Sequence, residues 1–378
     1  MGGTDELVEL RHLLHRNPEI SGEENRTARI LEEELSRRRP DRLVTGLGGT
    51  GLAALYRGKS PGPSVLLRCD TDALPIDEAA SFSHSSEYRG KSHKCGHDGH
   101  MAILMGVASA LRRSPPDRGS VVLLFQPAEE TGEGAAKVIE DEKFSRLHPD
   151  LAFSLHNLPG FQLGSVIVKE GVFASASRGM IVKLHGASSH AAEPHLGRSP
   201  ALAAAQLIES LTAIPQTTVS MDHGAKVTVI HAVVGEEAFG TSPGEATVMA
   251  TLRTHLTETM DSISKRAGVI ASSIAEAYEL DHSIKWTQEF PSTVNSTEAV
   301  KRVKSAARKT GMPLVVPDGP FPWSEDFGHF TDMFEGSLFG LGAGTNCPAL
   351  HSPEYDFPDY LISAGVELFL EIIHQTTS

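Results

Sequence analysis

Positive charge is scarce in this chain: 34 lysines and arginines stand against 48 aspartates and glutamates, a formal net charge of −14. A phosphate backbone draws its main affinity from a basic surface, so no nucleic-acid partner is expected. Cysteine is scarcer still. Cys69, Cys95 and Cys347 are odd in number and far apart, which excludes a disulfide framework and suits a reducing compartment. Aromatic residues make up only 6%, and nothing in the profile points to a membrane as solvent or partner. The opening Met1-Gly-Gly-Thr-Asp-Glu6 has neither a basic nor an apolar run, so no secretory leader is expected and the expected location is the cytoplasm. Internal repeats and low-complexity segments are missing. So are a GxSxG elbow and a P-loop, which leaves serine-hydrolase and nucleotide readings without a starting residue.

What remains is an ordinary globular composition, 40% hydrophobic and 22% charged over 378 residues, long enough for two domains. Residues 5–16 carry leucine and valine at helical spacing, with Thr4 as N-cap. Four segments share a short apolar run that ends in polar residues: SVLLRCDTDALP (64–75), SVVLLFQPAEE (120–130), LAFSLHNLP (151–159) and SLFGLGAG (337–344). These read as buried strands of an α/β sheet. Their tails bring Asp70, Asp72, Glu129, Glu130 and His156 to the carboxyl edge, where such sheets collect ligands. HMAILMGVASALRR (100–113) reads as the helix of a βαβ unit. From about Ser175 the order of elements becomes βαββαβ, that of a ferredoxin-like unit. Candidate site residues lie both before and after it, so it reads as an insertion.

Ten residues, Lys91 to His100 (KSHKCGHDGH), hold three histidines, a cysteine and an aspartate. An isolated cysteine is more often an inert buried thiol. Flanked by histidines, Cys95 reads as a thiolate held by a divalent metal such as zinc, with His97 beside it. His93 and His100 read as supporting residues, and Asp98 either orients an imidazole or caps the helix. In QPAEETGEG (126–134) two adjacent carboxylates follow a strand. Their side chains diverge, so one can bind metal while the other takes a proton from water. His156 and His351 each follow an apolar segment on the same presumed rim. His190, in GASSHAAEP (186–194), belongs to the inserted unit, where spacing does not decide its role. GLGGTG (46–51) matches a dinucleotide loop, but a strand-like LAALY follows it, so it reads as a turn.

Taken in order, RCDTDALP, KCGHDGH, FQPAEETGEGA, LHNLP, GASSHAAEP, TLRT, SEDF and LHSPEYDF resemble the M20 metallopeptidases. The similarity is to their amidohydrolase branch, which hydrolyses N-acyl amino acids, hippurate and auxin conjugates. The resemblance implies a zinc-exopeptidase-like α/β/α sandwich in residues 1–173 and 286–378, and a ferredoxin-like lid and dimerisation domain in 174–285. It implies two divalent ions, zinc or else manganese, cobalt or nickel, held by Cys95, His97, Glu130, His156 and His351. Glu129 would be the general base. His190 would stabilise the oxyanion from the partner subunit of a homodimer, and Arg253 would receive the carboxylate of an N-acyl amino acid. Relatives often carry an asparagine where this chain has Gly240 in Phe239-Gly-Thr-Ser-Pro243, and Gly240 offers no amide. A dipeptidase or aminopeptidase of the same family is the alternative enzyme, and a metal-binding scaffold the alternative from another class.

Overall fold

The computed structural model describes residues 2–79, 82–220 and 223–378. In chain order its principal elements are α1 (Gly2–Arg16), α2 (Asn25–Arg37), β1 (Arg42–Leu47), β2 (Gly51–Arg57), β3 (Ser60–Asp70), α3 (His97–Arg113), β4 (Arg118–Gln126) and β5 (Leu151–Pro159). There follow β6 (Ala176–His185), α4 (Ala201–Thr218), β7 (Ala225–Val234), β8 (Glu245–Thr254), α5 (Thr257–Ala277), β9 (Asp281–Phe290), α6 (Thr297–Lys309), β10 (Glu335–Gly344) and α7 (Tyr360–Thr377). The chain divides into two compact units. One runs to Phe173 and resumes over Thr293–Gly319 and Glu325–Ser378; the other holds Ala174–Ser292 and Pro320–Ser324.

The larger unit is a mixed α/β fold. Its sheet has the order β1-β2-β4-β3-β5-β10, continued by two short strands, Val166–Ile167 and Leu314–Val315. β3 runs parallel to β4 and β5, and β5 to β10. Such strands are continuous apolar runs because both faces are covered. On one face Val65, Leu67, Val121, Leu123 and Phe125 join Met101, Leu104 and Met105 of α3 and Leu368, Phe369 and Ile372 of α7 in a single core. The alternate residues, Leu66, Val122, Leu124 and Ala152, are also fully buried. Each large apolar side chain among them contributes about 1.5–3 kcal/mol by leaving water.

Boundaries depart from the sequence reading where local geometry intervenes. α1 starts at Gly2, ahead of Thr4. α3 starts at His97 rather than His100, because Gly96 stands at its N-cap with φ 90°. Only glycine adopts that angle without cost, and a Cβ there would lie 2.7 Å from the Asn157 side chain. The Gly46–Gly51 motif is the turn between β1 and β2.

The smaller unit has a four-stranded antiparallel sheet, β7-β8-β6-β9. β8 alternates, with Ala246, Val248, Ala250 and Leu252 packed on Leu207 and Leu211 of α4 and Ile263 and Ala267 of α5. The order βαββαβ is therefore that of a ferredoxin-like unit. The strand read from HSIKW extends to Phe290. β7 and β9 form the two edges of the sheet.

Candidate active site

The carboxyl ends of the parallel strands carry the cluster. β3 ends on Asp70, with Asp72 two residues beyond; β4 ends on Gln126, and Glu129 and Glu130 follow in a turn. His156 lies within β5, Cys95 and His97 flank the N-cap of α3, and His351 lies in the loop after β10. Ligand atoms of Cys95, His97 and His156 lie within 4.8 Å of one another, as do those of Cys95, Glu130 and His351, and those of His97, Glu129 and Glu130. Cys95 Sγ is 3.5 Å from His156 Nε2. Glu130 Oε1 is 3.8 Å from both His97 Nε2 and His351 Nε2. Six residues expected at the site from positions 95–351 are thus gathered in one unit.

Hydrogen bonding sets the imidazoles. His97 Nδ1 bonds the Asp72 carbonyl at 2.8 Å, and His156 Nδ1 the Asn157 carbonyl at 2.9 Å. A carbonyl only accepts, so both Nδ1 atoms carry protons and the Nε2 lone pairs turn inward, the tautomer a metal needs. His97 Nε2 and Glu130 Oε1 are shielded from solvent and have no hydrogen-bond partner. Two such orphans facing one another suit a cation. His100 is not of this kind: its nitrogens meet Asp70 and the Asn157 amide. Asp98 orients an imidazole, but that of His15 on α1, at 2.8 Å. His93 is buried with both ring nitrogens unpartnered.

Negative charge is crowded here. Burial, with Glu325, Glu130 and Asp326 nearby, pushes Glu129 well above the usual carboxyl range. Burial likewise raises Glu130 to about 7, although His97 opposes it. The Cys95 thiol is pushed well up by burial and by Glu130 and Glu129. Burial disfavours the His97 imidazolium, yet Asp70, Asp72 and Glu130 outweigh it and raise its pKa to about 10. With no cation Nε2 therefore also carries a proton, which a bound metal would displace to expose the inward lone pair. His156 is pushed down to about 4 by burial. A divalent cation among these groups would relieve the repulsion, and the donor set of sulfur, imidazole and carboxylate fits zinc or a neighbouring transition metal.

Further residues belong to the site though sequence reasoning did not place them in it. Fully buried Arg68 bonds Gln126 through Nε at 2.8 Å, Asp70 through Nη1 at 2.9 Å, and Asp326 and Glu325 through Nη2 at 2.6 and 2.9 Å. Asp70, His156 and Glu325 form another potential cation-binding group. The RCDTDALP and SEDF motifs were the available signal, but their convergence needs β3 and residues 325–326 to meet. Lys94, also buried, links the ligand loops: its carbonyl accepts from His351 N at 2.9 Å, and its ammonium binds Glu78 and the Tyr355 carbonyl. Ala128 and His351 hold φ of 52° and 65°, strained for residues with a Cβ, as is common beside reacting groups.

His190 and Arg253 lie in the smaller unit. His190 is exposed in a two-residue strand paired with Thr241–Ser242. Its Nδ1 accepts from Ala192 N at 3.1 Å, so the ring proton is on Nε2. Arg253, on β8, donates through Nη1 to the Pro322 carbonyl and Ser324 Oγ.

The model of Peptidase family M20/M25/M40 matches residues 66–375. The chain belongs to that family. Within M20, it is 34% identical over 338 residues to an N-acetyl-L-cysteine deacetylase of Bacillus subtilis, covering 89% of this chain and 80% of that protein. It is 31% identical over 378 residues to the IAA-amino acid hydrolase ILR1-like 2 of Arabidopsis thaliana, covering 96% and 83%. A solved Bacillus subtilis structure described as a dinuclear metal binding peptidase from M20 superposes with a TM-score of 0.81 at 26% identity, covering 100% of this chain and 99% of that one. The relatives place this M20 chain in the amidohydrolase branch, and it is a metal-dependent amidohydrolase. No helix among the described residues is long and apolar enough to cross a membrane.

Proposed function

We propose that the chain hydrolyses the amide bond of N-acyl amino acids, with Cys95, His97, Glu130, His156 and His351 holding two divalent ions, zinc first among them. Such ions would polarise the scissile carbonyl and acidify a water. Glu129 takes the proton of the attacking water as the new C–O bond forms, and returns it to the leaving nitrogen as the C–N bond breaks. His190 donates its Nε2 proton to the carbonyl oxygen as negative charge gathers there, and Arg253 receives the substrate carboxylate.

The observation that carries the reading is the inward aim of two Nε2 lone pairs, each set by a backbone carbonyl, toward Cys95 and Glu130. The smaller unit acts as lid and dimer interface, and His190 comes from the partner copy. Three free cysteines, Cys69, Cys95 and Cys347, suit the cytoplasm.

The test is a panel of N-acetyl amino acids offered to apoprotein reloaded with zinc, manganese, cobalt or nickel, beside matching dipeptides that keep a free α-amino group. Turnover of the acetylated series supports the proposal. Turnover confined to the dipeptides would make the chain a peptidase instead.

A further inference from the structure

Arg253 is not alone. In the antiparallel ladder of β7 and β8, Lys226 lies directly opposite Arg253, so both side chains rise from one face of the sheet with Cβ atoms about 4.5–5.5 Å apart. Burial alternates along β8 and puts Arg253 on the face opposite Leu252, away from the helices. Both cations line a cavity of about 170 Å³ inside the smaller unit, with His255 and the prolines Pro320 and Pro322. Thr254 completes the wall beside Arg253.

Like charges directly opposite one another destabilise a sheet. A carboxylate would ordinarily sit between them, and the protein has 48 acidic residues to draw on. Among the described residues, however, neither Lys226 nor Arg253 forms an ion pair. Arg253 Nη1 bonds only the Pro322 carbonyl and Ser324 Oγ, contacts that aim the guanidinium without neutralising it. An edge-strand lysine can also serve to discourage strand pairing, but that role needs no cation across from it. The half-buried guanidinium offers a fixed, planar fork, and the exposed ammonium a mobile point charge at the mouth.

We infer that this cavity is a dicarboxylate site: Arg253 takes the α-carboxylate and Lys226 a second carboxylate on the side chain, so that the favoured substrates are N-acyl derivatives of acidic amino acids. The inference rests on the proposed role of Arg253 and extends it to a substrate class.

Titration calorimetry on the full-length, metal-loaded protein tests it with glutarate and butyrate, which share one carboxylate and differ in the other. The wild type should bind glutarate about tenfold more tightly, the worth of one charge-assisted hydrogen bond. In Lys226→Met, an exposed substitution, the two should bind alike. The kcat/KM ratio of N-acetyl-L-glutamate to N-acetyl-L-glutamine should fall by the same factor in that variant, through KM. Equal binding of the two acids by the wild type, or a preference that survives Lys226→Met, would overturn the site. Loss of all turnover on acylated amino acids with the glutarate preference intact would instead sink the hydrolase reading and leave the dicarboxylate site standing.

Discussion

Glu129 owes its character to its neighbours. Without a cation, burial and three surrounding carboxylates favour its protonated form, and a divalent ion on Glu130 would turn that balance toward the base. Glu129→Gln keeps the shape and removes the base. Turnover of a good N-acetyl amino acid should fall about 10²–10⁴-fold, with metal content by elemental analysis unchanged. A variant that worked at nearly the wild-type rate would remove Glu129 from the proton-transfer role. Gly240 is informative in another way. A Cβ there would meet nothing within 4 Å, so packing does not require glycine at this position. Its carbonyl accepts from Ala191 N, next to His190.

Between elements, a buried ionic clamp ties α1 to α3 beneath the ligand loop. Arg11 binds Asp98 and Asp356 at 3.1 and 2.8 Å, and His15 bridges Asp98 and Glu78 at 2.8 and 2.9 Å. Burial disfavours the His15 imidazolium, but Asp98 and Glu78 prevail and raise its pKa from 6.5 to about 9. A group whose pKa is higher in the folded state stabilises fully below its unfolded value and loses that effect as pH rises through the folded one. Stability on the order of 3 kcal/mol should therefore be present below about pH 6.5 and gone above about pH 9. Urea transition midpoints at pH 6 and pH 10 measure it. His15→Gln should flatten the difference, whereas an equal drop in both proteins would place its source elsewhere.

For the whole molecule, β7 presents an exposed apolar edge. Ile230, Val233 and Val234 are 59%, 46% and 39% exposed on a strand with one free side, an arrangement that invites pairing with another strand. In the proposed homodimer this edge would be covered by the partner copy. Sedimentation should show a dimer, and Val233→Lys should shift it toward monomer. If His190 serves the partner's site, turnover should fall with dissociation by about 10²–10³-fold, the worth of an oxyanion donor, while metal content holds. Full activity in a proven monomer would return His190 to its own chain.

The chemistry was largely legible in the chain itself. KCGHDGH, the Glu129–Glu130 pair and the apolar runs ending in polar residues announce their donors locally, since ligand type and strand burial are properties of short segments. The glycine motif at 46–51 could be set aside because a strand follows it. Arg68, Lys94 and Glu325 could not be assigned, because their partners lie as much as 261 residues away. Spacing favoured His97 over His93 and His100, but it could not show which ring nitrogen of His97 or His156 faces Cys95 and Glu130. Residue identity supplies a donor, but the direction of its lone pair depends on which carbonyl the packed sheet brings to the other nitrogen, and that only the tertiary structure decides.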